Sequence, residues 1–486
     1  MTGGRAHGGG ENRGGGDVHG GGEPAALVVA RRALAGTEAW LVGGAVRDRL
    51  LGRPVRDVDV AVAGEPGAAA RRVARAGRAA AFPLSDAFGA WRVTARDGGW
   101  HVDLLPLRDG SLEADLAARD FTINALAEPL AGGPPVDHHG GLADLAAGRL
   151  RMVSEVAFAA DPLRTLRAAR LATELGLDVE AGTARAVADH APRLAAVAPE
   201  RVFAELKRIV AAPAARRGLE LMEALGVTAV VLPELVALHG VEQSAFHHLD
   251  VHDHTLGVLE AVAALQEDPA RLGLAAHAGA LRARLATPLA NELTRGEAMR
   301  FAALLHDAAK PRTRGERPDG RVTFIGHDDA GAELARAVLR RLRAANGLVD
   351  YVAALTRHHL RLGFLVHERP LSRRSVFRYL KATEPFAVDV TAFTVADRVA
   401  TRGRNADRAI AAHVALADRM LGEAFAREAA PPAEPLVRGD ELAAALGVRP
   451  GPRLGELLAA LEEEAFAGEV ATREDALRRA RELLRG

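Results

Sequence analysis

Asp57 and Asp59 stand two residues apart in the stretch DVDVAVA, and a third aspartate, Asp103, stands in WHVDLL. Successive residues of a strand point to opposite faces, so Val58, Val60 and Val62 share one face while Asp57 and Asp59 share the other. Carboxylates side by side repel and resist burial, and a divalent cation with oxygen ligands is the usual compensation. If the strand carrying Asp103 is a neighbour, the three carboxylates can hold two magnesium ions. One ion activates an attacking hydroxyl and the other stabilises a leaving pyrophosphate. Such a transfer asks the protein mainly for positioning and charge stabilisation. Upstream, Gly43 and Gly44 lie between an apolar strand, AWLV, and a helix start. Bare backbone there can approach a triphosphate, and the helix end favours negative charge. Arg47, on the first helical turn, is placed for phosphate contact. An isolated D-x-D reads more readily as two surface aspartates; the ordered set of GG, D-x-D and a later strand Asp reverses that.

A second constellation lies further along. His254, the adjacent His306 and Asp307, then His327, His358, His359 and Asp397 fall on successive apolar, helical stretches. Imidazole and carboxylate groups so arranged can hold one or two transition metals in a helical core. Any one of these histidines alone would read as a surface or satisfied core residue.

These residues need elements to position them. The chain has 486 residues, 49% hydrophobic and 26% charged, with zero formal net charge and no cysteine. Length suggests about three domains, disulfides and thiolate metal sites are excluded, and any nucleic-acid surface must be a local patch. No apolar run is long enough for a membrane span and no signal-peptide layout is present, which predicts a soluble, cytoplasmic protein without membrane partners. The expected fold class is α+β. A Gly-rich leader over 1–24, with His7 and His19, reads as disordered. A small mixed head with a β-sheet is expected over 25–140, a helical neck and body over 141–238, a His-rich helical domain over 239–428 and a helical tail over 429–486. Within the head, a helix runs from Ala25 to about Leu34, AVRDRLLG is a short helix stopped by Gly52, and AWRVTAR and WHVDLLPL are strands joined by a turn at Asp97 to Gly99. From about Leu112 the helical period dominates. In the tail, Thr472 with Asp475 reads as a capping box.

LVGGAVRD, DVDV and ARDFTINALA resemble the class II tRNA nucleotidyltransferases, that is, the CCA-adding enzymes and their bacterial poly(A) polymerase relatives. The resemblance continues through DPLRTLRAARLA, PERVFAEL and RGDELAAALGVRPGPRLGELL, so it spans nearly the whole chain after the leader. It implies that Asp57 and Asp59 bind magnesium with Asp103 as the third catalytic carboxylate, and that Gly43, Gly44, Arg47, Arg119, Asp120 and Asn124 contact the nucleotide. It implies that Asp161 and Arg164 read the incoming base, with Arg167 and Arg170 on the same helix face. A carboxylate accepts from an exocyclic amine and a guanidinium donates to a ring nitrogen or carbonyl, which suits C and A against U and G. Glu200 and Arg201 match a motif that braces the neck. The HD pair resembles the HD phosphohydrolase signature, which implies His254, His306, Asp307 and Asp397 as core ligands of a divalent transition metal. His327 and His358 or His359 would support a second metal, and Lys310 would touch a substrate phosphate. Such domains act on 2′,3′-cyclic and 2′-phosphates at RNA ends.

Three positions depart from the family pattern. Ala160 replaces an acidic residue before Asp161, and Ala118 replaces the first Arg of a doubled pair. The connection LRDGSLEADLAARD between Asp103 and Asp120 is short where full CCA-adding enzymes carry a longer flexible loop, a feature of the CC-adding branch. The expected function is therefore a template-free tRNA 3′-end nucleotidyltransferase using CTP and ATP, fused to an HD phosphohydrolase. A CC-adding enzyme with slow or absent terminal A addition is the nearest rival. A poly(A) polymerase is disfavoured because no basic, aromatic-rich segment follows D-x-D. An HD hydrolase with an idle RNA-binding head, or a tRNA-binding scaffold, would require degraded metal sites.

Overall fold

The computed structural model describes residues 23–55, 57–85, 89–243, 248–403, 406–431 and 434–485, so the expected leader lies almost wholly outside the described residues. The chain divides into two compact units, one ending at Ala157 and one beginning at Phe158.

The first unit is a seven-stranded mixed sheet flanked by helices. In chain order its elements are α1 (Ala25–Ala33), β1 (Ala39–Val42), α2 (Gly44–Leu50), β2 (Asp59–Val62), α3 (Pro66–Gly77), β3 (Ala80–Ser85), β4 (Ala90–Thr94), β5 (His101–Pro106), α4 (Leu112–Ala117), β6 (Leu126–Pro129), β7 (Val136–Asp137) and α5 (Gly141–Ala146). The strand order is β3-β4-β5-β2-β1-β6-β7. Only the β2–β5 pair is parallel, because α3 and the β3–β4 strands carry the chain across before β5 returns beside β2. The valines of β2 explain its seat. Val60 and Val62 face the larger core with Leu27, Ala70, Val73, Val102 and Leu104 from α1, α3 and β5. Ala61, on the opposite face, joins a smaller core with Val42, Leu116, Ala125 and Ala127. The strand is thus buried on both faces past Asp59, not alternately buried and solvated as its pattern suggests.

One strand goes unread in the sequence and one reading changes. β3 has no clean alternation and carries Pro83, which hides it as a strand. β6 and β7 interrupt what reads as continuous helix after Leu112, because four residues rich in Ala and Leu carry no period of their own. β6 is held by its partner β1, with Glu128 of β6 opposite Leu41 of β1.

The second unit is helical apart from short strand pairs. The helices Val251–Glu267, Arg295–Leu305, Asn346–His358 and Ala387–Ala400 carry buried apolar residues, among them Val258, Phe301, Tyr351 and Phe393. The segment RGERPDGR forms a small hairpin pairing Gly315–Glu316 with Val322–Thr323. The last three helices share an apolar cluster of Leu442, Leu454, Leu457, Leu461, Ala476 and Ala480. Thr472 caps the final one by accepting from the Asp475 amide at 3.1 Å, while its hydroxyl donates to Asp475 Oδ2 at 2.7 Å.

In the first unit, Gly141 opens α5 against the turn Thr122–Asn124. A Cβ there would lie 2.1 Å from the Thr122 carbonyl oxygen. Gly141→Ala should therefore push on backbone and destabilise this unit by about 1–3 kcal/mol, read as a lowered denaturant midpoint.

Candidate active sites

In the first unit the sheet register sets Asp59 directly beside Asp103, and the Asp103 amide donates to the Val58 carbonyl at 2.9 Å. Asp57 precedes the first residue of β2, not within it, with a side chain 79% exposed and 3.3 Å from His101 Nε2. Burial and then the charge of Asp103 push Asp59 up to about 6, while Arg119 opposes them. Arg92 of β4 stands opposite Asp103 and grips it with two bonds, Nε to Oδ1 and Nη2 to Oδ2, each 2.7 Å. Arg92 is the site residue that sequence reasoning missed. The turn at Asp97–Gly99 was the available signal, since folding the hairpin about it places residue 92 across from 103. A divalent cation fits this set. Asp59 and Asp103 are in register on adjoining strands with Asp57 two residues before Asp59, and the burial and neighbouring negative charge that raise Asp59 are what a cation offsets.

The glycine turn behaves as a close approach. Gly43 has φ +73°, and a Cβ on it would lie 2.6 Å from Arg119 Nη1. Arg119 donates to Asp115 Oδ2 through Nε and Nη2, at 3.2 and 2.9 Å. Arg47 departs from expectation. Only 9% exposed, it turns inward and donates to Asn124 Oδ1 at 2.5 Å and Asp48 Oδ1 at 2.9 Å. Asn124 in turn donates to Asp120 Oδ1 at 2.9 Å, which also accepts from the Phe121 amide. Arg47, Asp120 and Asn124 thus form a linked brace behind the turn; the physical reason is that helix α2 buries the face carrying Arg47.

In the second unit, Asp161 lies just before the helix Leu163–Leu175. It accepts from the Leu163 amide at 3.2 Å and from Arg201 Nη2 at 2.8 Å. Arg164, one turn on, donates its amide to the Asp161 carbonyl at 3.1 Å. Arg167 and Arg170 both meet Glu205 of the helix Pro199–Ala211, at 3.3 and 2.5 Å, and Arg170 also meets Glu174 at 2.7 Å. Arg170 is buried. The expected nucleotide-facing stripe is instead, at Arg170, an ion-paired brace between two helices, since burying that charge requires partners.

The histidine set converges. His254 Nε2 lies 3.1 Å from Asp397 Oδ1 and 3.6 Å from Asp307 Oδ2, and His306 Nε2 lies 3.1 Å from Asp307 Oδ2. On the other side of Asp307, His327 Nε2 and His359 Nε2 lie 3.4 and 3.9 Å from Oδ1 and 3.3 Å from each other. His358 is outside this group; its neighbour in sequence, His359, takes the place. Three of the rings are oriented by one device. Nδ1–H of His306, His327 and His359 donates to the carbonyl three residues earlier, at Ala303, Phe324 and Thr356, over 2.9, 2.6 and 2.5 Å. A carbonyl only accepts, so Nδ1 of each ring carries a proton and Nε2 of each ring faces Asp307. Burial and the neighbouring His306 push His359 down to about 4. Although burial opposes it, His306 and Lys310 hold Asp307 well below the usual carboxylate range. Lys310 Nζ sits 2.6 Å from Asp307 Oδ2 and donates to Gln243 at 2.6 Å. His306 Nε2 is fully buried and has no hydrogen-bond partner. That buried nitrogen, in a cluster of imidazole and carboxylate groups whose ligand atoms lie within 4.8 Å of one another, fits a transition metal.

A third group, Glu223, His239 and His252, also lies close together. Its two imidazoles stack with centroids 3.7 Å apart and 24° between planes. Imidazole binds metal in its ring plane, so stacked rings run their lone pairs side by side. Glu223 accepts from His239 and lies 3.4 Å from His252 Nε2, joining the helix Ala215–Ala224 to the start of the helix Val251–Glu267.

The chain matches three family models: the poly A polymerase head domain over 39–102 and 94–151, a probable RNA and SrmB-binding site of polymerase A over 176–238, and the HD domain over 251–402. It is 40% identical over 445 residues to an A-adding tRNA nucleotidyltransferase of Deinococcus radiodurans, covering 90% of this chain and 94% of that protein. It is 36% identical over 448 residues to a CC-adding tRNA nucleotidyltransferase of Thermus thermophilus, covering 90% and 92%. Among solved structures, a CCA-adding enzyme of Bacillus stearothermophilus in complex with CTP shares the fold with a TM-score of 0.62 and 23% identity, over 95% of this chain and 98% of that one.

The histidine geometry makes a metal-content prediction. His306→Ala and Asp307→Asn should each weaken transition-metal binding by more than about tenfold, whereas His358→Ala should retain it. Elemental analysis after dialysis against a metal buffer reads the difference.

Proposed function

The chain belongs to the tRNA nucleotidyltransferase family with an appended HD domain, and on that premise we propose that it extends the 3′ end of tRNA from CTP without a nucleic-acid template. The observation that carries this is the parallel register of Asp59 and Asp103, with Asp57 adjacent. Asp57, Asp59 and Asp103 would hold magnesium there, which would supply charge neutralisation at the transferring phosphate. The terminal tRNA hydroxyl loses its proton to bulk water and its oxygen bonds to the α-phosphorus as the bond to pyrophosphate breaks. Arg92 keeps Asp103 in place, Gly43 and Gly44 leave backbone free to approach the triphosphate, and Arg47, Asp120 and Asn124 hold the turn. Asp161 and Arg164 read the base, Arg201 orienting Asp161, and the tail over 429–486 contacts tRNA.

The addition stops after CC in this reading. The connection between β5 and the Asp120 motif is packed. Ser111 caps α4 by accepting from the Ala114 amide at 3.0 Å, and Leu107, Leu112 and Leu116 pack on the smaller core. Swinging it would expose a fully buried Leu116. A mobile element that re-forms the site for ATP is therefore lacking at this connection. The A-adding relative at 40% identity favours a second reading, in which the enzyme performs the A stage.

The HD domain is proposed as a phosphohydrolase. Water oxygen bonds to the phosphorus of a 2′,3′-cyclic phosphate, one ribose oxygen leaves and takes a proton, and a monoester remains. Two transition metals, one by His254, His306 and Asp397 and one by Asp307, His327 and His359, would supply the activated water, and Lys310 would face the phosphate.

Three outcomes check these readings. Asp59→Ala should lower nucleotide addition at least about a hundredfold, the scale of losing a preorganised charge-stabilising group, and leave phosphohydrolase activity; near wild-type addition would refute the site. His306→Ala should do the reverse in a protein shown by circular dichroism to be folded. With tRNA lacking its last three nucleotides, CTP should yield a product two nucleotides longer, and tRNA ending in CC should gain A from ATP slowly or not at all. Rapid, complete A addition with excess enzyme would overturn the CC assignment.

A further inference from the structure

Ile325 is 77% exposed and Phe364 73% exposed, while every other large hydrophobic among the described residues except Val156 is at most 48% exposed. Scattered exposed apolar residues need no explanation, but these two come from different elements and line the same cavity. Ile325 lies between the strand Val322–Thr323 and the helix His327–Arg341; Phe364 lies on Arg361–Leu365, directly after the His359 ligand candidate. The cavity, about 590 Å³, has Asp307, Lys310 and Arg398 among its polar lining. Its charged side can take a phosphate. Its rim offers an aromatic face and a branched aliphatic, neither of which can donate or accept a hydrogen bond.

A ligand matching both ends carries a phosphate joined to a flat, largely apolar-faced group. Resting on the phosphohydrolase reading above, we propose that Phe364 and Ile325 form a platform for the base of the terminal nucleoside, whose 2′,3′-cyclic phosphate enters the histidine–aspartate centre. Stacking needs only a π-face, which every base has. The platform therefore selects a nucleoside end over other phosphoesters without selecting its base. That tolerance suits RNA ends of any sequence.

The test compares adenosine and cytidine 2′,3′-cyclic phosphates with glycerol 1,2-cyclic phosphate, which has the same strained ring and no base. Wild-type protein should prefer both nucleosides to a similar degree. Phe364→Ala should reduce the nucleoside-to-glycerol ratio of kcat/KM roughly tenfold, through KM more than kcat, with Ile325→Ala reducing it less. Phe364→Trp should restore it. An unchanged ratio in a folded Phe364→Ala protein would overturn the platform while the hydrolase reading stands. Wild-type protein that cleaves none of the three substrates would overturn the hydrolase reading and the platform with it.

Discussion

Negative charge held beside negative charge is the constraint around which the first unit is arranged. Asp59 and Asp103 are adjacent in a parallel strand pair, and the burial of one and the charge of the other raise the Asp59 pKa to about 6. The sheet tolerates this because cations surround it. Arg92 reaches Asp103 from one neighbouring strand, and Arg119 opposes the charge on Asp59. The apolar faces of β2 supply the rigidity: Val60 and Val62 anchor one side and Ala61 the other, so the carboxylates cannot relax apart.

The same problem has a different solution in the second unit. Asp307 is almost fully buried and is surrounded by imidazoles and one ammonium group. Local backbone geometry does much of the orienting, because a histidine that donates to the carbonyl three residues earlier has its ring fixed by its own turn. The elements need only bring three such turns together. Buried charge away from this centre is also paired: Asp389, fully buried, accepts from Arg284, Arg295 and Tyr351. Such networks hold geometry more than they add stability.

Elsewhere in the second unit, arginine–glutamate pairs join helices that also pack apolar side chains, as Phe377 does on Phe466. Arg374 meets Glu464 at 3.0 Å and also Glu469, and Arg378 meets Glu463 at 2.7 Å, linking the helix Arg373–Thr383 to the tail. Arg374, Arg378 and Glu469 keep much of their side chains in water, so such pairs are worth little individually and are screened by salt, although Glu464 is buried. Arg170 with Glu205 has both partners buried and is the stronger positional brace.

Local chemistry in the sequence determined which residues assemble. The carboxylate pair on an apolar strand, the glycine turn and the histidine series each need a particular residue type at a particular spacing, and those spacings survive as strands, turns and helix ends. Sequence also determined the capped tail helix and the short connection after β5. Tertiary structure alone decided which groups face which. Arg47 and Arg170 have phosphate-binding chemistry, but their helix faces are buried, and a buried guanidinium takes carboxylate or amide partners. Arg92 has no motif; it matters because strand pairing across a turn sets it opposite Asp103. β6 is a strand only because β1 needs a neighbour. His359 is chosen over His358 because adjacent residues on a helix point about 100° apart, and only one of them can face Asp307.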